Sequence, residues 1–175
     1  MKRIVLTFGL ISGAVLSVLM FFTVSLVDRI GFDRGVIVGY TTMLLTFLLV
    51  FFGIRSYREN VGGGEISFGR AFTVGILIVL IACAMYVVTW AFEYRVFFPD
   101  FMDKYAAHMT EKARAAGASP EELTRQTEEL KGFKEMYGNP FYFILFTAME
   151  PLPVGLPMTL ISAAILRKRR KRQPA

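Results

Sequence analysis

Cysteine, histidine and tryptophan are nearly missing from this sequence of 175 residues, in which each occurs once. The lone cysteine, Cys83, has no second thiol to pair with, so an intramolecular disulfide is excluded and a small buried apolar side chain is predicted. The lone histidine, His108, excludes a histidine-based metal cluster or catalytic triad within the apolar parts of the chain. We therefore predict no catalytic, cofactor-binding or metal-ligating residues, and we expect the protein not to be an enzyme. His108 itself is predicted to lie on a helix face.

Charge is also missing from more than half of the chain. Four windows, 91 residues in total, contain one charged residue, Glu150, whereas the other 33 charged residues fall in the remaining 84. Apolar residues make up 54% of the sequence and mean hydropathy is +0.49, above the roughly 45–50% apolar content of soluble domains. This pattern excludes a water-soluble globule and predicts a multi-pass membrane protein. The windows are Ile4–Val27, Val36–Ile54, Ala71–Phe92 and Phe141–Leu166.

Each window is long enough to cross a bilayer, which takes about 20 apolar residues, and a helix is the expected form because it satisfies its own backbone hydrogen bonds. We predict an all-α membrane protein: one membrane domain over residues 1–175, with four transmembrane helices at about 4–27, 36–54, 71–92 and 141–166. Residues 99–139 are predicted to form an outward-facing extramembrane helical hairpin between the third and fourth helices.

The hairpin carries a specific helix-start signal. Ser119 followed by Pro120 and by Glu122 reads as a capping box with proline in the first turn, which predicts a second hairpin helix over Pro120–Tyr137. The hairpin either packs on itself or the membrane surface, or it serves as a cap that binds a ligand or partner.

The placement of Lys and Arg predicts the orientation. Eleven of the 20 basic residues fall on the side of the bundle that holds both termini, against two in the short loop on the other side. Because basic residues favour the cytoplasmic side, both termini are predicted to be cytoplasmic. The basic run after the fourth window is expected to anchor this topology and to attract anionic lipid, not nucleic acid. The predicted topology anchors are Arg167, Lys168, Arg169, Arg170, Lys171 and Arg172.

Glu150 is the sharpest candidate for chemistry. An ionisable side chain within a span costs at least a few kcal/mol, and such a group marks a candidate functional site by default. Pro151, Pro153 and Pro157 surround it, and each lacks the N–H that would bind a carbonyl one turn earlier. A broken helix with free carbonyls beside a carboxyl group is typical of ion and substrate sites in transporters. The alternative is a protonated Glu150 that donates a hydrogen bond to a freed carbonyl and only stabilises a kink.

Small residues at four-residue spacing predict close helix packing, within one chain or between chains of a homo-oligomer. They carry no chemistry of their own. The residues are Gly9, Gly13, Ser17, Gly35 and Gly39.

Several motifs in a fixed order, together with Glu150, give the chain a resemblance to a known family. They are Phe52–Arg58, Ile66–Phe72, Pro99–Tyr105, Phe133–Pro140 and Pro153–Leu156. Over nearly its whole length the chain resembles the bacterial family catalogued as domain of unknown function 4199. The resemblance implies a four-helix protein of the bacterial inner membrane and implies no activity, cofactor or catalytic residue.

The sequence thus leaves two functional hypotheses. The first is a non-enzymatic, multi-pass inner-membrane protein with a structural or partner-binding role, whose partners are the bilayer and either another membrane protein or a second copy. The second is a small proton-linked transporter that uses Glu150.

Overall fold

The computed structural model describes residues 1–168, and over this range the chain is helical, with seven helices and no strand. Three of the helices are 29 residues long. Four shorter helices follow, two of them in the predicted hairpin. The bounds are α1 Lys2–Ile30, α2 Phe32–Asn60, α3 Phe68–Val96, α4 Phe101–Ala115, α5 Pro120–Tyr137, α6 Pro140–Ala148 and α7 Leu152–Leu166.

Helices α1, α2 and α3 are each long and apolar enough to cross a membrane. At 1.5 Å per residue each extends about 44 Å, which exceeds a hydrocarbon core of about 30 Å. The fourth apolar window differs from the single helix predicted for it. It forms two helices, α6 and α7, bent by 40° at a short break, and this pair could make one further span. The break is at Met149–Pro151, where proline removes a ladder hydrogen bond.

A single residue joins α1 to α2. Gly31 has φ +82°, and its N–H donates to the carbonyl of Val27 at 2.8 Å. Only glycine adopts this left-handed conformation without steric cost, so α2 can turn back along α1 immediately.

Helix α3 lies at the centre of the bundle and packs against α1, α2, α6 and α7. Its buried face meets those of α2 and α7 in a core where Phe47, Val50, Ile54, Ile78 and Val79 have no exposed surface.

Glycines permit the closest approach at the crossing of α3 and α7. A Cβ at Gly155 would lie 2.6 Å from Val79 Cγ1, and one at Gly75 would lie 2.7 Å from Thr159 Cγ2. Real Cβ atoms do not come this close, so the two helices meet at this distance because both positions are glycine.

The end of the bundle where α1 begins and α7 ends is tied together by hydrogen bonds to backbone carbonyls. Ile66 and Lys168 exchange N–H···O bonds of 3.1 and 2.9 Å, and Arg58 Nη1 donates to the Leu166 carbonyl at 3.4 Å. Arg167 and Lys168, two of the predicted topology anchors, therefore lie beside the α2–α3 loop. The other four, Arg169, Arg170, Lys171 and Arg172, lie outside the described residues.

The hairpin is formed by α4 and α5, and the capping box is present. Glu122 N–H donates to Ser119 Oγ at 3.2 Å, and Ser119 N–H donates to Glu122 Oε2 at 2.8 Å. The bounds of α5 coincide with those predicted from this signal. The turn before it uses Gly117 at φ +84°.

Polar contacts and aromatic rings place the hairpin over the α1–α2 turn. Lys104 Nζ lies 2.9 Å from Asp28 Oδ2, and Lys112 Nζ lies 2.6 Å from Asp33 Oδ1. The ring of Phe32 packs against those of Phe101, Tyr105 and His108. The hairpin thus lies over the end of the bundle at which α1 joins α2.

Candidate functional site

A cavity of about 510 Å³ lies between α1, α2, α3, α6 and the hairpin. Its shape follows from the break in the fourth window. Helix α7 packs against α2 and α3, whereas α6 packs against α3 and α5. At the break between α6 and α7 the two helices therefore diverge, so that α7 stays against α2 and α6 does not. The cavity occupies the space between α2 and α6.

The cavity wall is mainly apolar and aromatic. Leu16, Met20 and Met43 contribute aliphatic surface from α1 and α2, and the hairpin adds the rings of Phe101 and Phe133. The polar groups in the wall are hydroxyls and a single carboxyl group. They belong to Thr23, Tyr40, Thr42, Tyr86, Tyr105, Tyr137 and Glu150.

Glu150 lies at the break between α6 and α7 and lines the cavity. The hydroxyl of Tyr86 on α3 donates to its Oε2 at 2.7 Å. Tyr86 is only 6% exposed, whereas Glu150 as a whole residue is exposed, so the hydrogen bond joins a buried hydroxyl to a residue at the edge of the bundle. Tyr86 lies four residues beyond the midpoint of α3, about 6 Å along the helix axis.

A second polar contact lies one helical turn further along α3. Trp90 Nε1 donates to the Tyr137 hydroxyl at 2.6 Å, and that oxygen is 3.3 Å from Thr147 Oγ1. Tyr137 is the last residue of α5. One hydroxyl therefore joins the hairpin to α3 and α6 beside the cavity.

The prolines around Glu150 differ in their positions. Pro151 is fully buried and is the N-cap residue of α7, whereas Pro153 and Pro157 are exposed. None of the three lines the cavity. The carbonyl of Thr147, four residues before Pro151, was expected to be free. It accepts from the N–H of Glu150 at 3.4 Å. The prolines shape the break, and Glu150 is the one of these four residues that lines the cavity.

The small residues of α1 lie against α3. A Cβ at Gly9 would come within 2.8 Å of Ile81 Cβ, and one at Gly13 would collide with Met85. Ser17 Oγ is 2.8 Å from Thr89 Oγ1. These contacts all lie within one chain.

The two glycines of α2 lie on the cavity side, in different surroundings. A Cβ at Gly35 would be 3.1 Å from Val27 Cγ2, whereas a Cβ at Gly39 would meet nothing within 4 Å. Gly39 lines the cavity and leaves space there, so it does not make the close helix contact expected from its spacing.

The sequence patterns did not indicate two buried polar residues: Tyr86, which lines the cavity, and Glu93, which does not. Tyr86 was not singled out, although a tyrosine hydroxyl in an apolar window needs a partner and Glu150 is the one carboxyl group within the windows. Glu93 follows directly after the predicted third window, 71–92, but it lies in the last turn of α3, is 4% exposed, and its Oε2 has no hydrogen-bond partner among the described residues. The available signal was its spacing: Glu93 follows Tyr86 by seven residues, two helical turns, so both residues lie on the same face of α3.

The remaining candidates lie away from the carboxyl group. Cys83 is buried in α3. His108 stacks on Phe32 with ring centroids 5.2 Å apart, and its Nε2 is 3.6 Å from Asp33 Oδ1. Within residues 1–168 no group of three or more His, Cys, Asp and Glu side chains is placed to hold a metal ion.

Comparison with known proteins gives one result. Neither the curated proteins nor the solved structures contain a match to the chain. A family model does match, over residues 7–168, and its description is "Protein of unknown function (DUF4199)". Because this match spans nearly the whole chain, the protein belongs to the DUF4199 family.

Proposed function

We propose that this protein is a non-enzymatic, multi-pass membrane protein that binds a small, mainly apolar molecule in the cavity between α2, α6 and the hairpin. The observation that carries the proposal is the cavity of about 510 Å³ with the Glu150 carboxyl group in its wall. Small-molecule sites typically have volumes of about 300–1,000 Å³ and combine apolar walls with a few polar groups. A carboxyl group within apolar helices is in addition a functional-site candidate by default.

A neutral photoreactive alcohol tests this proposal. Octanol carrying a diazirine, applied to the protein in nanodiscs, is expected to label cavity residues such as Tyr40 and Met149, identified by mass spectrometry of peptides. The substitution Gly39→Phe should abolish this labelling, because the new ring enters space in which a Cβ meets nothing within 4 Å.

Val38→Phe is the matched control for the cavity substitution. Val38 is the neighbouring residue on α2, is 40% exposed and does not line the cavity, so labelling should persist in this variant. Labelling spread over the lipid-facing surface, with no loss in Gly39→Phe, would refute the proposal.

Proton-linked transport is the second candidate, and the break at Glu150 favours it. Discontinuous helices form substrate and ion sites in transporters, and here a carboxyl group lies where α6 and α7 diverge by 40°. A cysteine at Met149, in a Cys83→Ala background, should then react with water-soluble thiol reagents. Complete protection from reagents added to either side would count against transport while leaving apolar binding intact.

We further infer a cytoplasmic location for both termini, in the inner membrane of a bacterium. Lys2, Arg3 and Arg58 support this orientation, since basic residues concentrate at the end of the bundle where α1 begins and α7 ends. Reporter fusions at the C-terminus test it. A green fluorescent protein fusion should fluoresce and an alkaline phosphatase fusion should be inactive, and the reverse result would overturn the orientation.

A further inference from the structure

Resting on the binding function proposed above, we propose that the ligand is a lipophilic amine, whose ammonium group pairs with Glu150 and whose alkyl or aromatic body fills the cavity. The polar groups of the cavity wall select the charge of the ligand, as its apolar groups select a lipophilic body.

The charge of the cavity wall has one sign. Glu150 is the one acidic side chain among the described lining residues, and no Lys, Arg or His is among them. A ligand carboxylate or phosphate would find no compensating cation in this wall, whereas an ammonium group would pair with the carboxylate. Specificity of this kind arises from repulsion of the wrong ligand as well as from attraction of the right one.

The carboxyl group of Glu150 has unused acceptor capacity. A carboxylate offers about four lone-pair sites on two oxygens, and among the described residues Tyr86 occupies one of them, on Oε2. The other lone-pair sites of the carboxylate accept from no donor among the described residues, so a ligand can supply further donors. An ammonium group supplies up to three N–H donors together with a positive charge.

The rest of the wall suits the body of such a molecule. Four tyrosines and four phenylalanines line the cavity, and aromatic faces attract cations in addition to packing against apolar groups. Leu16 provides aliphatic surface, and Met20 and Met43 provide unbranched, flexible side chains, on which an alkyl chain can pack.

The route of entry also favours a lipophilic molecule. Val36 and Tyr40 on α2, and Met149 beside α6, line the cavity and are 55, 48 and 56% exposed. Val36 and Tyr40 lie on α2 and Met149 caps the end of α6. The outer surfaces of both helices are apolar, so the cavity opens sideways between them. A molecule dissolved in the bilayer reaches Glu150 without crossing the hairpin.

A head-group series with one chain length tests the inference. Dodecylamine, dodecanol and dodecanoate are competed against the diazirine-octanol label in phosphatidylcholine nanodiscs, with concentrations expressed as mole fraction in the lipid so that partitioning cancels. We expect dodecylamine to displace the label at a concentration about tenfold or more below that of dodecanol, since a charge-assisted hydrogen bond contributes about 1.5–3 kcal/mol. Dodecanoate should be the weakest competitor.

Two variants locate the preference at the carboxyl group. Glu150→Gln should make dodecylamine and dodecanol equally effective, because it keeps an acceptor for Tyr86 and removes the charge. Tyr86→Phe keeps the charge and removes a donor, so the amine preference should persist in it, which guards against misfolding of the first variant.

The outcomes separate this inference from the proposed function. Equal competition by all three compounds in the wild type, strongest competition by dodecanoate, or an amine preference that survives Glu150→Gln would overturn the amine assignment while leaving the cavity as a binding site. No cavity labelling in the wild type would overturn both.

Discussion

Replacing Tyr137 by phenylalanine is expected to loosen the hairpin from the bundle. Its hydroxyl accepts the N–H of Trp90 at 2.6 Å and lies 3.3 Å from Thr147 Oγ1. Trp90 is 6% exposed and its ring packs against those of Phe98 and Phe101, so turning the indole towards another acceptor would disturb both contacts. Loss of the hydroxyl therefore leaves a buried N–H unpaired.

The magnitude follows from that unpaired donor. A buried group left without its partner costs about 1–3 kcal/mol. Loss of the contact with Thr147 adds little to this cost, because a helical threonine hydroxyl can rotate to the carbonyl four residues earlier. We expect Tyr137→Phe to lower the free energy of unfolding by about 1–3 kcal/mol.

The assay uses the fact that Trp90 is the single tryptophan of the chain. Denaturant unfolding in detergent, followed by its fluorescence, reports this contact without background from other indoles. Tyr142→Phe is the matched control, since Tyr142 is 39% exposed on α6 and should unfold like the wild type. If Tyr137→Phe had the unfolding midpoint and emission of this control, the assignment of Tyr137 as the link between hairpin and bundle would be refuted.

Two further predictions concern stability and acidity. Gly155→Ala should lower the free energy of unfolding by about 1–3 kcal/mol, because its Cβ would lie 2.6 Å from Val79 Cγ1. Gly132→Ala in α5, where a Cβ meets nothing within 4 Å, should instead raise the free energy of unfolding by about 0.5–1 kcal/mol. Thermal unfolding in detergent compares the two variants, and equal shifts would contradict the close packing of α7. Hydrogen bonds from the Ser119 backbone N–H and hydroxyl hold the pKa of the Glu122 carboxyl below its ordinary value of 4.5, so its contribution to the start of α5 is present above pH 4.5 and is lost as pH falls through the lowered pKa. Protection of the first-turn amides of α5, measured as the ratio of the intrinsic to the observed exchange rate, should therefore fall in acid, and protection that falls instead at higher pH would contradict this sign.

The sequence predicted the elements more completely than their arrangement. Uncharged windows identified α1, α2 and α3, because the length of an apolar run is a local property. The capping box at Ser119 located the start of α5 for the same reason. The contact between Tyr86 and Glu150 joins residues 64 positions apart, and no spacing within a single helix indicates which faces of two helices meet.

The fourth window and Gly39 show the same limit. Three prolines indicated a disturbed helix near Glu150, but the size of the bend depends on where α6 and α7 find their partners in the bundle. Glycines at four-residue spacing indicated that backbones could approach. Around Gly39 no helix comes near, because α6 has turned away, and the same glycine that would permit packing leaves a cavity instead.

The position of α7 has a consequence for how the chain is made. Helices α1, α2 and α3 already contact one another, and all three leave the ribosome before residue 152. Until α7 arrives, the groove that receives it, which includes Gly75 and Phe47, faces lipid. Docking of α7 brings Gly155 against Val79 and joins Lys168 to Ile66, so α7, which is synthesised after α1, α2 and α3, completes the core that these three leave open.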